Sequence, residues 1–450
     1  MSSNNTAPMS GTIEGGLGMS GEWREVAIRD ICIKIGSGAT PRGGKESYRG
    51  GDTNLIRSQN VYNDGFRTDG LVRIDERQAS ELRNVEVIAG DVLLNITGDS
   101  VARCCTAPMA ILPARVNQHV AIIRTKPEIA DSAFLRYTLV SAQMQDKLMS
   151  MSSAGATRPA LTKGMIERLV VHLPPLPEQR RIAKILGDLD DKIELNRKMN
   201  ETLEQMARAL FKSWFIDFDP VRAKMAGRQP PGMDTDTAAL FPSRLVESEL
   251  GLIPEGWSAK PLPDVIEVNP RRTLKSGTVA PYLDMKNLPT QGHSAEEVVD
   301  REFASGTKFR NGDTLLARIT PCLENGKTGF VDFLKDGEVG WGSTEYIVFA
   351  PKPPLPPQFG YLLARSDALR SHAIQNMTGT SGRQRVPTEC FSTFWLAVPT
   401  TDLDERFDEL TAPLMAQIKS NIHQSRTLAS LRDTLLPQLM RGGCGIREGG

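Results

Sequence analysis

Two long segments of the chain carry apolar residues at alternating steps of four and three, the pattern of one face of a paired helix. They run from Glu178 to Trp214 and from Glu405 to about Leu436. Positions in the second segment follow their counterparts by 225 residues. We call the apolar face of each segment its seam, and an asparagine interrupts both seams. A seam sustained in both copies favours a coiled coil over an ordinary amphipathic surface helix, and its asparagines would fix the register. The predicted seam residues are Ile182, Leu189, Ile193, Asn196, Leu203 and Leu210, then Phe407, Leu414, Ile418, Asn421, Leu428 and Leu435.

A further apolar flank lies beside the first seam, at Ile185, Met199, Met206 and Phe211. Such a flank indicates that a third or fourth helix packs against the pair. The flank therefore predicts a partner protein.

The regions that precede the two helices also repeat, opening at Trp23 and at Trp257 with a few strand-like residues. Each region alternates strand and helix signals, so each is predicted to be a mixed α/β domain. The repeated elements are a turn with a buried strand (Gly90–Thr97 and Gly312–Thr320), a further strand (Val120–Arg124 and Tyr346–Ala350) and a helical stretch (Phe134–Met149 and Phe359–Ile374).

These patterns predict the fold class α/β, of mixed α+β type, and set the domain boundaries. The prolines of Leu173–Pro177 predict a stiff approach that lies outside the first long helix. The predicted segments are a disordered leader (1–20), a first domain (21–177), a first long helix (178–216), an interdomain connector (217–256), a second domain (257–403), a second long helix (404–441) and a tail (442–450).

The composition is that of an ordinary globular protein, with 40% hydrophobic and 24% charged residues among 450. A membrane span would require about 18 consecutive apolar residues, and the sequence has no such run and no signal-peptide pattern. The six cysteines show no Cys-x-x-Cys spacing, so neither a zinc site nor a disulfide framework is expected. A reducing cytoplasm is the expected location.

The formal net charge is zero, from 54 basic and 54 acidic residues. For a nucleic-acid-binding protein this is a mild negative signal, because phosphate contacts require lysine and arginine. Any DNA binding is therefore expected to come from local patches or from a surface shared with a partner.

No catalytic signature is complete in this sequence. Gly326-Lys327-Thr328 resembles the end of a phosphate-binding loop, but Pro321 stands where the loop requires its leading glycine. Asn269-Pro270 begins an Asn-Pro-Pro-aromatic methyltransferase tetrapeptide, but arginines follow it. No catalytic residue, metal site or cofactor of its own is therefore predicted.

The loops carry residue types that read DNA. Arginine donates two hydrogen bonds to guanine, asparagine and glutamine pair with adenine, and all three contact phosphates. The alternative is that these are solvated loop residues. The candidates are Arg42, Lys45, Arg57, Gln59, Asn60, Asn117, Gln118 and Arg158 in the first domain, and Arg271, Arg272, Lys275, Lys286, Asn287, Arg318, Arg383, Gln384 and Arg385 in the second.

Four stretches together resemble the specificity (S) subunit of type I restriction-modification systems, and the resemblance extends over nearly the whole chain. The second copy departs from the family pattern at Val398–Arg406, which lacks the Pro-Pro and Glu-Gln elements. Equal helix starts and equal partner contacts are therefore not expected. The four stretches are Leu173–Ala183, Ala209–Lys224, Glu249–Trp257 and Leu431–Gly442.

The resemblance implies two target-recognition domains in a pseudo-two-fold arrangement, joined by two long antiparallel helices. Each domain would read one half of a bipartite, asymmetric site in double-stranded DNA. The helices would set the unread spacer and dock the modification (M) subunits, of which two are expected. By the same resemblance, M subunits bind S-adenosylmethionine and methylate adenine N6, and restriction (R) subunits use ATP and Mg²⁺.

The predicted helix length is compatible with a spacer. About 37 residues span about 55 Å at 1.5 Å per residue. That length corresponds to about 16 base pairs of DNA at roughly 3.4 Å each.

Two other classes of protein remain as alternatives. A standalone methyltransferase or nuclease requires an intact catalytic motif, and a coiled-coil scaffold without DNA function predicts loops poor in arginine. The sequence favours a non-catalytic specificity subunit over both.

Overall fold

The computed structural model describes residues 22–41, 48, 50–153, 159–295, 297–380 and 382–441. The chain divides into two compact units, the first made of residues 1–193 and 426–450 and the second of residues 194–425. Three predicted DNA contacts (Arg42, Lys45 and Arg158), the predicted leader and the tail from residue 442 lie outside the described residues.

The first unit contains two four-stranded sheets, in the orders β6-β3-β10-β7 and β2-β11-β8-β9, and the strand pairs β1-β12 and β4-β5. Its strands are β1 (Arg24–Ala27), β2 (Cys32–Ser37), β3 (Thr53–Ile56), β4 (Val61–Tyr62), β5 (Gly65–Phe66), β6 (Val72–Ile74), β7 (Glu86–Val87), β8 (Val92–Asn95), β9 (Cys104–Thr106), β10 (Ala114–Val116), β11 (Val120–Thr125) and β12 (Val170–Leu173). Its short helices are α1 (Ile28–Ile31), α2 (Glu76–Glu81), α3 (Ser132–Val140), α4 (Ala142–Ser153) and α5 (Lys163–Glu167).

A 40-residue helix, α6 (Leu176–Phe215), follows β12 and continues into the second unit. The elements after it are α7 (Asp219–Met225), α8 (Thr235–Ala239), β13 (Leu245–Ser248), β14 (Gly251–Pro254), β15 (Ser258–Pro261), α9 (Leu262–Val265), β16 (Ile266–Val268), β17 (Val279–Leu283), β18 (Val299–Glu302), β19 (Thr307–Phe309), β20 (Thr314–Ala317), β21 (Thr328–Phe330), β22 (Gly340–Gly342), β23 (Tyr346–Pro351), α10 (Pro357–Ala364), α11 (Asp367–Gln375) and β24 (Trp395–Val398). A second 40-residue helix, α12 (Thr401–Met440), completes the described chain.

The second unit repeats the sheet topology of the first. Its four-stranded sheets have the orders β18-β17-β22-β19 and β16-β23-β20-β21, and β15 pairs with β24 as β1 pairs with β12. In each unit a central strand pair is parallel, β3 with β10 and β17 with β22, while the neighbouring pairs are antiparallel. The internal repeat and the mixed α/β architecture predicted from the sequence are confirmed.

The repeated Gly-Asp turn illustrates how local sequence directs this topology. Gly90 and Gly312 have φ values of 81° and 89°, a conformation that favours glycine. The carboxylate of Asp91 accepts a hydrogen bond from the backbone N–H of Ile88, and that of Asp313 accepts one from Arg310, both at 2.8 Å. Each turn therefore leads into a fully buried strand, β8 or β20, as the sequence predicted.

Each predicted helical stretch is two helices rather than one. Ser141 separates α3 from α4, and its hydroxyl donates a hydrogen bond to the carbonyl of Thr138. Ser366 separates α10 from α11, and its hydroxyl accepts one from the N–H of Leu369. Serine competes for backbone groups in this way, which favours helix ends over helix interiors.

Both long helices begin earlier than predicted. Helix α6 starts at Leu176, so the prediction that Leu173–Pro177 lies entirely outside the helix is wrong for its last two residues. Pro177 is tolerated because the first turn of a helix has no hydrogen-bond acceptor for its N–H groups. Helix α12 starts at Thr401 instead of residue 404. Thr401 follows Leu176 by the repeat offset of 225 residues, so the expectation that the two helices start unequally is wrong.

The segment predicted as a connector is a structured part of the second unit. Residues 219–254 form α7, α8 and the β13–β14 hairpin. Phe218, Phe241 and Ile253 are buried in the core of this unit, and the Phe218 ring packs edge-on against Trp257 at 5.7 Å. These apolar contacts explain why the segment folds despite its glycines and prolines.

The seam predicted for the long helices is buried or half-buried at all twelve positions. In the second unit, residues that advance along α6 lie opposite residues that recede along α12, so the two helices are antiparallel. The opposed pairs are Asn196 with Ser425 (3.2 Å), Asn200 with Asn421 (2.8 Å) and the rings of Trp214 and Phe407 (centroids 5.8 Å apart).

The portions of α6 and α12 in the first unit pair in the same sense. Asp190 accepts a hydrogen bond from Arg432 at 2.8 Å, and Leu186 shares a buried apolar cluster with Leu436. Of the predicted flank, Phe211 is buried in the second unit's core and Met206 is 53% exposed. No helix among the described residues is long and apolar enough to cross a membrane.

Candidate nucleic-acid interface

Three predicted DNA contacts of the first unit lie on one turn after β3. Asn60 is fully buried, and its amide donates to the carbonyls of Arg67 and Asp69 while its carbonyl oxygen accepts from the N–H of Arg57. The Asn60 amide therefore stabilises the turn, and both its N–H donors and its oxygen are used in hydrogen bonds within the turn. Arg57 donates to the carbonyl of Gly70. The exposed Gln59 remains the accessible candidate of this turn.

The turn between β10 and β11 carries the next pair of candidates. Asn117 is buried, and its side-chain oxygen accepts from the N–H of His119 at 3.1 Å, which stabilises the turn. Gln118 is exposed beside it and contacts the His119 ring at 3.1 Å. The other ring nitrogen of His119 bonds Thr97 Oγ1 at 2.6 Å. As a result, Gln118 is the accessible residue of this pair.

The glycine-rich loop after β2 approaches the same turn. A Cβ atom at Gly38 would lie 2.0 Å from the carbonyl oxygen of Val116, so only glycine fits there. Thr97 forms an isolated β-bridge with Ala160, two residues after the undescribed Arg158. The first unit thus brings the residues around Thr97, Gln118 and Ala160 together at the ends of β8 and β11.

In the second unit Arg272 is held inside the domain by Asp313. Its guanidinium donates to the carboxylate at 2.9 Å, and the two side chains are 11% and 2% exposed. Asp313 is the aspartate of the repeated Gly-Asp turn. This ion pair holds the Arg272 guanidinium in place, and its predicted contact with DNA stays a prediction.

Asn269, beside Arg272 in the loop after β16, extends the sheet. It has a left-handed backbone conformation with φ of 53°, which asparagine tolerates better than most residues. Its N–H donates to the carbonyl of Val348, and its side-chain oxygen accepts from the N–H of Val348 at 2.9 Å. This arrangement ends the strand pairing and turns the loop that carries Arg271 and Arg272.

Arg318, Gln384 and Arg385 gather at the ends of β20 and β23. Arg385 donates to both carboxylate oxygens of Glu345 at 2.7 to 2.9 Å, which lowers the pKa of Glu345 below its ordinary value. Arg318 donates its backbone N–H to the carbonyl of Glu345. The backbone of Gln384 pairs with Thr320.

The remaining candidates of the second unit lie at the surface. Arg271, Lys275, Lys286 and Arg383 are exposed, whereas Asn287 is half-buried and donates to the carbonyl of Glu297 at 3.2 Å. Long cationic side chains at a surface can reach phosphates and base edges alike. These four side chains are therefore the accessible candidates of this unit.

A buried network in the second unit connects α6 to the loops around its sheets. The hydroxyl of Tyr361 donates to the carboxylate of Glu204 at 2.7 Å and accepts from Arg365 Nε at 3.2 Å. Arg365 also donates to the backbone carbonyls of Thr290, Gly292, Gly326 and Thr328. This role could not be predicted from the sequence, because Arg365 lies in a predicted helical stretch and most of its acceptors are backbone carbonyls of loops distant in sequence.

In the first unit, Asp190 of α6 is the corresponding centre of polar contacts. It accepts hydrogen bonds from Arg136 at 2.8 Å, Tyr137 at 2.7 Å and Arg432 at 2.8 Å. Burial opposes the ionisation of Asp190, but the two arginines and the tyrosine outweigh it and hold its pKa below the ordinary value. Each unit therefore attaches its sheets to the long helices through buried polar side chains.

The exposed side chains of this arrangement are of the types that contact phosphates and base edges. Donor-bearing side chains project from turns on rigid sheets, which is how recognition residues are commonly held. Among the residues that the structure describes, no three His, Cys, Asp or Glu side chains are grouped to hold a metal ion.

Comparison with known proteins identifies relatives for this architecture. Residues 20–205 match the family described as the type I restriction modification DNA specificity domain. The type I restriction enzyme HindI specificity subunit of Haemophilus influenzae is 25% identical over 375 residues, covering 73% of this chain and 80% of that protein. The MjaIX specificity subunit of Methanocaldococcus jannaschii is 25% identical over 442 residues, covering 95% and 94%.

A solved structure shows the same fold. The S subunit of a type I restriction-modification system from M. genitalium superposes with a TM-score of 0.54 at 14% identity, covering 94% of this chain and 97% of that one. The resemblance predicted from the four sequence stretches is confirmed.

Proposed function

We propose that this chain, whose residues 20–205 match the type I restriction modification DNA specificity domain, is the non-catalytic specificity subunit of such a complex. Each unit reads one half of a bipartite, asymmetric DNA site. The observation that carries this proposal is the duplicated sheet topology, in which each copy presents arginine, lysine or glutamine side chains at its turns.

The two units present different accessible side chains at the equivalent turns after β3 and β17. The first unit offers Gln59 there, whereas the second offers Lys286. Glutamine amides match adenine and lysine matches guanine, so different residues favour different base sequences. This difference supports an asymmetric site.

The proposed partners follow from the family. Two modification subunits bind S-adenosylmethionine and methylate adenine N6 after extrusion of the base from the duplex, and restriction subunits use ATP and Mg²⁺. The paired α6 and α12 set the unread spacer and dock the modification subunits. Each helix has 40 residues, so each spans about 60 Å.

Methylome sequencing of the source cell with and without this gene tests the proposal. Deletion should abolish a single bipartite N6-methyladenine motif, while an unchanged methylome in a strain that expresses the modification subunits would contradict it. The variant Arg383→Ala should weaken the base preference of methylation only in the half of the motif that the second unit reads. Loss at both halves would show instead that Arg383 supports folding.

The matched control is Arg228→Ala. Arg228 is an exposed arginine of the same unit, located in the segment between α7 and α8. Its replacement should leave both halves of the motif unchanged.

A further inference from the structure

An open cavity of about 320 Å³ lies in the second unit where its two four-stranded sheets meet. Arg272 lines it from the loop after β16, Lys308 from β19 and Arg318 from the end of β20. Thr307 and Thr344 add hydroxyl groups to the wall. We call this feature the cation cavity.

The cation cavity carries uncompensated positive charge. The carboxylate of Asp313 is bound by Arg272, and that of Glu345 is bound by Arg385. Neither Lys308 nor Arg318 forms an ion pair within the described part of the chain. Four cations against two carboxylates leave two positive charges.

Two guanidinium nitrogens at the cavity also lack a hydrogen-bond acceptor. The Nε atoms of Arg272 and Arg318 are buried without a partner among the described residues. Buried donors in folded proteins are nearly always paired, so such atoms call for an acceptor that the chain does not supply, such as a water or a ligand oxygen. An anionic ligand matches the excess of positive charge as well.

The lining favours a phosphate over a base edge. Reading a base requires a pattern of donors and acceptors. The side-chain oxygen of Asn269 already accepts from Val348, and the hydroxyl of Tyr346 already donates to Leu283. The Thr307 hydroxyl donates to the carbonyl of Tyr346 at 3.5 Å. The groups left are the donors of Arg318, Lys308 and Thr344, a set that suits phosphate oxygens.

Among the described residues, the first unit has other side chains at the two positions that carry the uncompensated charges of the cation cavity. Ile96 corresponds to Arg318, because Ile96 directly follows β8 and Arg318 directly follows the equivalent strand β20. Strand register places Glu86 where the second unit has Lys308, and Glu86 pairs with Arg115 on β10. These two positions of the first unit therefore lack the cations that Lys308 and Arg318 supply in the second unit.

From these observations we infer that the cation cavity binds one backbone phosphate of DNA and so fixes the register of the second unit on its half-site. This inference rests on the proposed function, since it names the part of the DNA that this site takes. It implies that the two halves of the complex differ in their dependence on phosphate contacts.

The test measures the affinity of the full chain, assembled with its modification subunits, for two duplexes. One duplex contains the motif identified by methylome sequencing, and the other does not. The variant Lys308→Met/Arg318→Met removes both uncompensated charges. We expect the affinity to fall about tenfold or more, because charge-assisted hydrogen bonds to phosphate are lost. The fall should be the same on both duplexes, because phosphate contacts carry no sequence information. The slope of log affinity against log salt should become shallower by about one per lost phosphate contact.

Lys335→Met is the control, because Lys335 is an exposed lysine of the same unit away from the cavity. It should change neither affinity nor slope, and thermal unfolding of both variants should match the wild type. A relaxed preference at one base pair with an unchanged slope would overturn the inference in favour of base reading. Unchanged affinity on both duplexes would overturn it as well.

A neutral methylphosphonate placed at successive phosphates locates the contact. The wild type should lose affinity most at one phosphate of the second half-site, and the double variant should show no further loss there. If the wild type binds both duplexes equally, the proposed function fails. If the wild type distinguishes the duplexes and the double variant keeps the wild-type affinity, only the phosphate site in the cation cavity is refuted.

Discussion

The clearest difference between the two copies at the scale of single residues is found in the first turn of each long helix. Gln179 is the fourth residue of α6 and Asp404 is the fourth residue of α12, with the same offset as Asn196 and Asn421. The Gln179 amide donates to the carbonyls of Ile129 and Pro174. Both carboxylate oxygens of Asp404 are buried without a hydrogen-bond partner among the described residues, and burial raises its pKa to about 7.

This carboxyl should make the stability of the second unit depend on pH. The folded-state pKa lies above the ordinary value of 3.8, so the stabilising contribution is complete below about pH 4 and is lost as pH rises through about 7. The variant Asp404→Asn removes the charge. It should raise the free energy of unfolding by about 1–3 kcal/mol at pH 8 and change little at pH 4. Thermal unfolding across this range measures the effect.

Asp402→Asn serves as the comparison, because Asp402 is exposed in the same turn of α12. It should not alter the pH dependence. Parallel stability curves for wild type and Asp404→Asn would contradict the prediction.

At the scale of secondary-structure elements, one carboxylate provides the buried ion pairs that attach α6 to the first unit. Asp190 binds Arg136 and Arg432, whose side chains are 8% and 17% exposed. Other ion pairs along this helix, such as Lys184 with Asp188, lie between exposed side chains. A buried pair that loses one partner leaves an uncompensated charge, whereas exposed pairs contribute little.

Asp190→Asn should therefore lower the free energy of unfolding of the first unit by about 3–5 kcal/mol. Asp188→Asn, two residues earlier on the same helix, should lower it by less than about 1 kcal/mol. Hydrogen–deuterium exchange in urea follows the two units separately, and the faster exchange should be confined to α3, α6 and the end of α12. Equal effects of the two substitutions would show that Asp190 has no special part in the attachment.

The elements could be predicted from the sequence, but much of the candidate site could not. Strands such as β8 and long helices such as α6 follow from local periodicity and from the Gly-Asp turn. Asn60 and Arg272 have residue types that read bases, yet contacts with residues distant in sequence, Arg67 and Asp313, turn them inward. Lys308 was missed because it lies in a short strand and not in a loop rich in glycine and proline.

For the whole molecule, the two units share one topology while their polar side chains have diverged. The second unit has the cation cavity, and the equivalent positions of the first unit have Ile96 and Glu86. A shared scaffold with different contacts allows each half-site to change without a change in fold. It also means that charge is not distributed equally between two similar halves.

The net charge of the whole chain leads to a final prediction. With 54 basic and 54 acidic residues, the chain has no overall excess of positive charge to neutralise a duplex. Each phosphate that is neutralised adds about 0.9 to the magnitude of the slope of log affinity against log salt. We expect a shallow slope for the chain alone and a distinctly steeper one for its complex with modification subunits, because those subunits then supply most of the phosphate contacts. Fluorescence anisotropy on one duplex over a salt series measures both slopes, and an equally steep slope for the chain alone would mean that its own patches supply the contacts.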